Sequence, residues 1–351
     1  MVSAVLSETF IRISDPGSIL NALIPPTTSF RLKPMLYVIS TAVLFIALLL
    51  YFKIADHFNI IDKPNERSSH TEVTIRGGGI VFPLALICYS LAFGGISFLL
   101  IAGALLISLI SFLDDIYTLP NRTRLLVQLL AVGTIIYVAG GFWAWPLWLI
   151  PIVFILIIGC INAYNFMDGI NGITGLYSLV AFGSLLYVNS TLHILDPAFM
   201  TLGMLACSVF LYFNFRKRAK CFAGDVGSVG LAFWIISIIV LLISATGNFK
   251  YLLFLAVYGV DTVLTIIHRL MLGQNIFDAH RLHFYQILAN EGKIPQLYVS
   301  TLYAGVQLIL NLLIVFTEID FYLLFCMINI PLCVLYIGFK PKFINNQAVS
   351  H

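Results

Sequence analysis

The chain has 351 residues, of which 60% are hydrophobic and only 10% charged, and its mean hydropathy is +0.99. A soluble globular domain carries about one quarter charged residues, so this balance excludes a water-soluble enzyme or binding module. The net charge of +3 says little until its placement is known, and no nucleic-acid partner is expected. Apolar runs of about 18–20 residues, each able to cross ~30 Å of hydrocarbon, recur along nearly the whole length. The expected fold is therefore all-α, a polytopic membrane protein with no polar stretch long enough for a separate soluble domain. Six cysteines (Cys88, Cys160, Cys207, Cys221, Cys326 and Cys333) show no CxxC spacing and read as small buried residues.

Residues 1–34 mix Glu8, Arg12, Asp15, Arg31 and Lys33 with two prolines, and they lack the apolar core of a signal peptide. They read as an extension, extra or disordered, ahead of a natural start at Met35. A single membrane domain is expected over 35–340, followed by a short tail over 341–351. Eleven spans are predicted: 35–53, 77–92, 94–113, 123–141, 145–162, 172–190, 197–214, 226–244, 249–267, 297–316 and 320–338. On this threading every Lys and Arg beyond residue 35 falls on one side except Lys250. The positive-inside rule makes the rich side cytoplasmic, with the amino end outside and the carboxyl end inside.

Five polar islands lie on that rich side. The first runs from Asp62 to Arg76-Gly77-Gly78-Gly79. Glycines opening a helix let backbone amides approach a phosphate; equally, they let two helices pack closely. The second is Asp114-Asp115, closing a run from Phe93 to Leu113 without charge, with Arg122 and Arg124 just beyond. An acid at the bilayer centre costs about 2.5–3.5 kcal/mol on insertion scales, so a pair at a helix mouth suits a divalent cation held against a phosphate, or else is an ordinary acidic helix end. The third, Asn162 to Gly175, holds amides, Asp168 and glycines but no Lys or Arg, as a pocket for a polar ligand and a cation would; the alternative is a glycine-rich turn. The fourth pairs a basic cluster, Arg216 to Lys220, which suits anionic headgroups, with Gly224-Asp225-Val226-Gly227-Ser228. The fifth, about 268–296, carries His268, Arg269, Asp278, His280, Arg281 and His283, with Asp261 upstream inside a span. His280 and His283 are spaced to share a helix face, and phosphate recognition by Arg and His fits them better than zinc, for which no third soft ligand is spaced.

The stretches HTEVTIRGGGI, FLDDIYTLPNRTRLLVQ, NAYNFMDGINGITG, FAGDVGS and DAHRLHFYQIL, in this order, resemble the polyprenyl-phosphate N-acetylhexosamine-1-phosphate transferases, glycosyl transferase family 4. The resemblance runs from about Met35 to the carboxyl end. It implies transfer of N-acetylhexosamine 1-phosphate from a UDP-sugar to undecaprenyl phosphate, with release of UMP, at the cytoplasmic face of a bacterial inner membrane, the first step of a cell-envelope polysaccharide. It implies Mg2+ or Mn2+ as cofactor and allows a homodimer. Carried over by position, it assigns Asp114, Asp115 and Asp168 to catalysis and Asp225, with Asp114 and Asp115, to the metal. Arg76, Asn162, Asn165, His280, Arg281 and His283 are assigned to the substrates. Asn171 stands where many relatives have a second aspartate. The Pro-Thr-Met-Gly-Gly stretch and triple histidine of the related phospho-N-acetylmuramoyl-pentapeptide transferases are replaced here, which argues against the peptidoglycan step. A flippase or transporter is the rival from another class, but such proteins place charge near the midplane and show repeated halves.

Overall fold

The computed structural model describes residues 26–62, 73–275 and 280–348. Asp278, named above, lies outside the described residues, as do residues 1–25, residues 63–72 of the first island and residues 349–351. The chain is a helical bundle: α1 (Pro26–His57), α2 (Val81–Ala92), α3 (Phe98–Tyr117), α4 (Asn121–Val138), α5 (Leu149–Phe166), α6 (Ile173–Leu192), α7 (Pro197–Asn214), α8 (Gly224–Thr246), α9 (Ala256–Met271), α10 (Phe284–Asn290), α11 (Gln296–Phe316) and α12 (Phe321–Ala348). The described strands, β1 (Ile61–Asp62) and β2 (Thr74–Ile75), form one antiparallel pair between α1 and α2.

Each of the eleven predicted spans overlaps one of these helices. Among the described residues, however, nine segments are both long and apolar enough to cross a membrane. The two that fall short have different causes. Helix α2 has 12 residues, because its first turn is given over to a 3-10 segment at Gly78–Ile80. Helix α4 opens on Asn121, Arg122 and Arg124 and carries Gln128, so site residues dilute its apolar character. The first helix also starts at Pro26, ahead of the expected Met35.

Helix α8 is the axis. Of its most apolar stretch 83% is buried, against 17% for α5 and for Phe321–Phe343, so it meets protein on nearly every side while those two face lipid. Trp234 is enclosed by Phe182 and Phe199, with ring centroids 5.2 Å away in both cases. Close approach of α2 to α8 depends on glycine. A Cβ on Gly79 would overlap the Gly227 Cα, and one on Gly78 would strike Cys221.

Backbone groups inside a bilayer have no water to bond, so a break in a helix there must be satisfied by protein. The Phe249–Leu255 3-10 segment leading into α9 is such a break. Gln307 of α11 repairs it: its Oε1 accepts from Val257 N at 3.0 Å and from Tyr177 Oη at 2.6 Å, while its Nε2 donates to the Leu253 carbonyl at 2.9 Å. Asn311 extends the network, accepting from Gln307 at 2.6 Å and donating to Ser184 at 2.8 Å. The four-way junction of α6, α9, α11 and the break is thereby set in register, and with it the loops at one end of the bundle.

Candidate active site

The second and fourth islands meet at the mouth of α8. Helix α3 ends on Thr118, which takes a left-handed conformation at φ 50°, and this turn lets Asp114 Oδ1 accept from Leu119 N at 2.6 Å. Its neighbour Asp115 points to α8, where Oδ1 accepts from Asp225 N at 3.0 Å and Oδ2 from Val226 N at 3.1 Å. Asp115 therefore caps α8 from another helix, answering the unpaired amides of a helix start. Gly224, at φ +69°, allows this approach, since a Cβ there would lie 2.5 Å from the Asp115 carboxylate.

Two arginines tie the acids together. Arg76 Nε donates to Asp115 Oδ1 at 2.7 Å, and its Nη2 lies 3.9 Å from Asp225 Oδ1. Arg124 places Nη1 3.1 Å from Asp114 Oδ2 and Nη2 3.5 Å from Asp225 Oδ2. Asp225 is thus shared by both guanidiniums and is the most open of the three, its side chain 20% exposed against 9% for Asp114 and 0% for Asp115. Desolvation alone would lower the Arg76 pKa, but Asp115, Asp225 and Asp62 outweigh it and the net shift is upward. Arg76 stays a cation.

The third island joins from the side. Asn165 Oδ1 accepts from Ser228 Oγ of α8 at 2.6 Å. Asp168 follows the end of α5, its carboxyl enclosed although the residue keeps some surface, and accepts from Thr174 Oγ1. Burial pushes the Asp168 carboxyl up to about 6, the Thr174 hydroxyl pulling it back, with the Asp115 charge raising it and Arg76 lowering it. Tyr285 Oη, from the fifth island, donates to the Phe166 carbonyl at 2.9 Å, and a Cβ on Gly169 would collide with it. The 162–175 glycines are thus packing points as well as turns.

The structure separates residues that the sequence groups together. The Gly77–Gly79 amides do not form a phosphate cradle: Gly78 N donates to the Phe222 carbonyl at 2.8 Å and Gly79 N to that of Ala223 at 3.0 Å. Close packing is the reading that holds for this island. Asn162 turns toward α4, its Nδ2 2.8 Å from the Ile158 carbonyl and 3.4 Å from Gln128 Oε1; these contacts do not link it to the acids. His283 is buried and contacts protein, not an open cleft. Arg124 and Ser228 are parts of the site that sequence reasoning assigned no role; the Arg-x-Arg opening a span opposite Asp-Asp was the available signal for the first.

Asp115 spends both oxygens on α8 and Arg76, so it is withdrawn from the expected metal ligands. Among the described residues no three His, Cys, Asp or Glu groups are arranged to hold a metal by themselves. That still suits Mg2+, which is commonly bound through one or two carboxylates with waters and substrate phosphates. Four carboxylates (Asp114, Asp115, Asp168 and Asp225) face two guanidiniums (Arg76 and Arg124), leaving a formal excess of two negative charges that one divalent cation balances. Asp225 and Asp114 fit as its protein ligands once Arg124 gives up the Oδ2 atom of each, Asp114 Oδ1 staying bonded to Leu119 N.

Residues 97–243, which hold α3 to α8 and so Asp114, Asp115, Asp168 and Asp225, match the model of glycosyl transferase family 4. The relatives include a Yersinia pestis undecaprenyl-phosphate alpha-N-acetylglucosaminyl 1-phosphate transferase, 28% identical over 73% of this chain and 76% of its own length. The Escherichia coli (strain K12) protein of the same name is 27% identical over 71% and 75%. A Bacillus subtilis protein named a probable undecaprenyl-phosphate N-acetylglucosaminyl 1-phosphate transferase is 26% identical over 72% and 75%. Over the central stretch 97–243 the chain is similar to glycosyl transferase family 4. Within the matched stretch, Asn171 serves to join elements. Its Nδ2 donates to the Arg216 carbonyl at 2.8 Å, and its backbone meets α11 through Gln296 and Ser300. An aspartate carboxylate could not donate that bond.

Proposed function

We propose that this protein acts as a glycosyl transferase of family 4 and transfers N-acetylhexosamine 1-phosphate from a UDP-sugar to undecaprenyl phosphate, releasing UMP and forming the lipid diphosphate sugar that starts a cell-envelope polysaccharide. The observation that carries this reading is the meeting of Asp114, Asp115 and Asp225 with Arg76 and Arg124, drawn from three separate polar islands, beside Asp168 of a fourth. Phosphoryl transfer is served mainly by positioning and charge neutralisation, and this cluster has groups of both signs for that work. The relatives' names make N-acetylglucosamine the sugar to test first.

In this reading Asp225 and Asp114 hold Mg2+, which when bound neutralises the donor diphosphate and the departing UMP. Arg76 and Arg124 exchange their carboxylate partners for phosphate oxygens as substrates enter; guanidinium forks suit both. Asp168 exchanges a proton with the acceptor phosphate. Its pKa of about 6 supports this, because a phosphate monoester has its second pKa at about 6. Asp115 contributes by holding α8 and Arg76 in place. Direct attack by the lipid phosphate needs no further group. The clustering of Lys and Arg supports a cytoplasmic active face in the bacterial inner membrane. A transporter is not favoured, since the acids collect at helix mouths at one end.

Membranes containing the protein, given radiolabelled UDP-N-acetylglucosamine and undecaprenyl phosphate, are expected to form a lipid-linked sugar with equimolar UMP. Formation should require Mg2+ and stop on chelation. Transport of intact UDP-sugar without UMP would sink the proposal, and other UDP-N-acetylhexosamines in the same assay identify the sugar.

A further inference from the structure

A cavity of about 300 Å³ opens on the flank of the bundle, walled by α9, α11 and α12, with α10 across the end where α12 finishes. Helix α12 gives it Leu332, Leu335, Tyr336, Phe339 and Phe343, a stripe at helical spacing. Helix α10 gives Phe284 and Leu288, one turn apart on one face. The stripe rises about 16 Å at about 1.5 Å per residue, close to the about 15 Å of hydrocarbon in one leaflet. Its lips face the bilayer, since Leu302 of α11 is 55% exposed and Leu335 is 50% exposed. None of Asp114, Asp115, Asp168 and Asp225 lines it.

Positive charge borders this apolar wall. Lys340 Nζ bonds the Tyr336 hydroxyl and lies 4.5 Å from the centroid of that ring, and Lys342 Nζ lies 4.9 Å from the centroid of Phe339. Both rings line the cavity. Among the described residues neither ammonium is ion-paired with a carboxylate. Lys340 is buried and Lys342 exposed. Lys293 adds a cation at the same end, for its neighbour Gly292 packs on Phe343, where an added Cβ would lie 3.0 Å from the ring. The acids here are already answered. Asp261 lines the cavity, but its carboxylate accepts from Phe284 N at 2.9 Å, Tyr285 N at 3.3 Å and Tyr303 Oη at 2.7 Å. Glu291 is faced by Arg281.

We propose that this cavity binds an anionic phospholipid of the leaflet at the site end of the bundle. One acyl chain enters between Leu302 and Leu335 and lies along the stripe from Phe343 to Leu332. The headgroup phosphate meets the exposed Lys342, and Lys340 and Lys293 add their attraction. A phospholipid fits better than the polyprenyl carrier, because the stripe is one leaflet deep and lies apart from the arginines and acids of the site. The bound chain also bears on α10. Phe284 and Leu288 rest against it, while Tyr285 between them donates to the Phe166 carbonyl, close in sequence to Asp168. Occupancy therefore steadies α10 and, through Tyr285, the turn that carries Asp168. Binding itself does not depend on the reaction proposed above.

The test uses the full chain, delipidated in detergent and given phosphatidylglycerol or phosphatidylcholine with the same acyl chains, bound lipid being counted by native mass spectrometry. Phosphatidylglycerol is expected to be retained and phosphatidylcholine to be retained at least about fivefold less. Lys342→Gln should weaken phosphatidylglycerol retention about fivefold, the worth of one lysine near an anionic surface. Leu302→Trp, which fills the mouth, should abolish it; should that variant fail to fold, Leu335→Trp closes the opposite lip. Hydrogen exchange at 284–290 is expected to slow when phosphatidylglycerol binds. Equal retention of the two phospholipids, or retention untouched in Lys342→Gln and in a folded tryptophan variant, overturns the proposal. Displacement of phosphatidylglycerol by equimolar undecaprenyl phosphate would overturn the assignment to a phospholipid. Binding without any change in exchange at 284–290 would overturn the link to α10.

Discussion

Asp225 and Asp115 are both acids at the mouth of α8, yet their surroundings give them different work. Asp225 is partly open and its ion pairs are long, at 3.5 and 3.9 Å, so it has room for a cation. Asp225→Asn is expected to cut UMP release by about 10²–10³-fold, as losses of a main electrostatic group do, with the protein still inserted and folded. Asp115→Ala should act through structure, costing about 1–2 kcal/mol for the lost cap and lowering the detergent melting temperature along with activity. Retained stability in that variant would contradict the capping role.

Asp168 gives a pH signature at the same scale. Its carboxyl is near 6 in the folded protein against a usual 3.8, so between these values the folded state holds a proton that the unfolded state has lost. Stability of the metal-free protein must then fall as pH rises from about 4 to 6, and Asp168→Asn should flatten the slope. Melting temperatures measured with chelator present, at half-unit pH steps, check this.

At the scale of elements, the 3-10 segment ahead of α2 touches α8 backbone to backbone at Gly79 and Gly227, where no side-chain rotation can relieve an added methyl. Gly79→Val is expected to abolish the folded population or destabilise it by more than the about 1–3 kcal/mol typical of overpacked cores, as read by size-exclusion profile and melting. Gln307→Leu conserves bulk but orphans the Val257 amide and the Leu253 carbonyl, a loss of about 1–3 kcal/mol for each buried group left unpaired. Because the break it repairs leads into α9, donor affinity should weaken too. Wild-type stability in Gln307→Leu would show that the break is satisfied some other way.

At the scale of the whole molecule, the eleven crossings expected from the sequence would put the two ends of the described bundle on opposite sides of the membrane. The side to which the sequence assigns all the Lys and Arg beyond residue 35 but Lys250, and with it the site, would lie in the cytoplasm. A cysteine introduced at Lys217 in a background lacking the six native ones should react with an impermeant maleimide only in inverted vesicles, and one at Lys250 only in intact cells. The opposite pattern would place the active face outside and remove the cell's nucleotide sugar as donor.

Much of this was legible in the residues alone. Apolar runs of membrane length must become helices, because a bilayer leaves the backbone no other partner than itself. The islands between them were marked by acids and amides that hydrocarbon would have expelled. What local sequence could not decide was the division of labour inside those islands, since a carboxylate beside a helix start and one beside a cavity are spelled alike. Only packing sent Asp115 to cap α8, turned Asn162 to Gln128 and consumed the amides of Gly78 and Gly79 in contacts with the 222–223 carbonyls. The same packing joined Asp261 to Phe284, Tyr285 and, beyond them, Tyr303. Hydrophobicity is a sum over a stretch of chain and can be read along it; a hydrogen bond belongs to two atoms, and which two meet is settled when the helices dock.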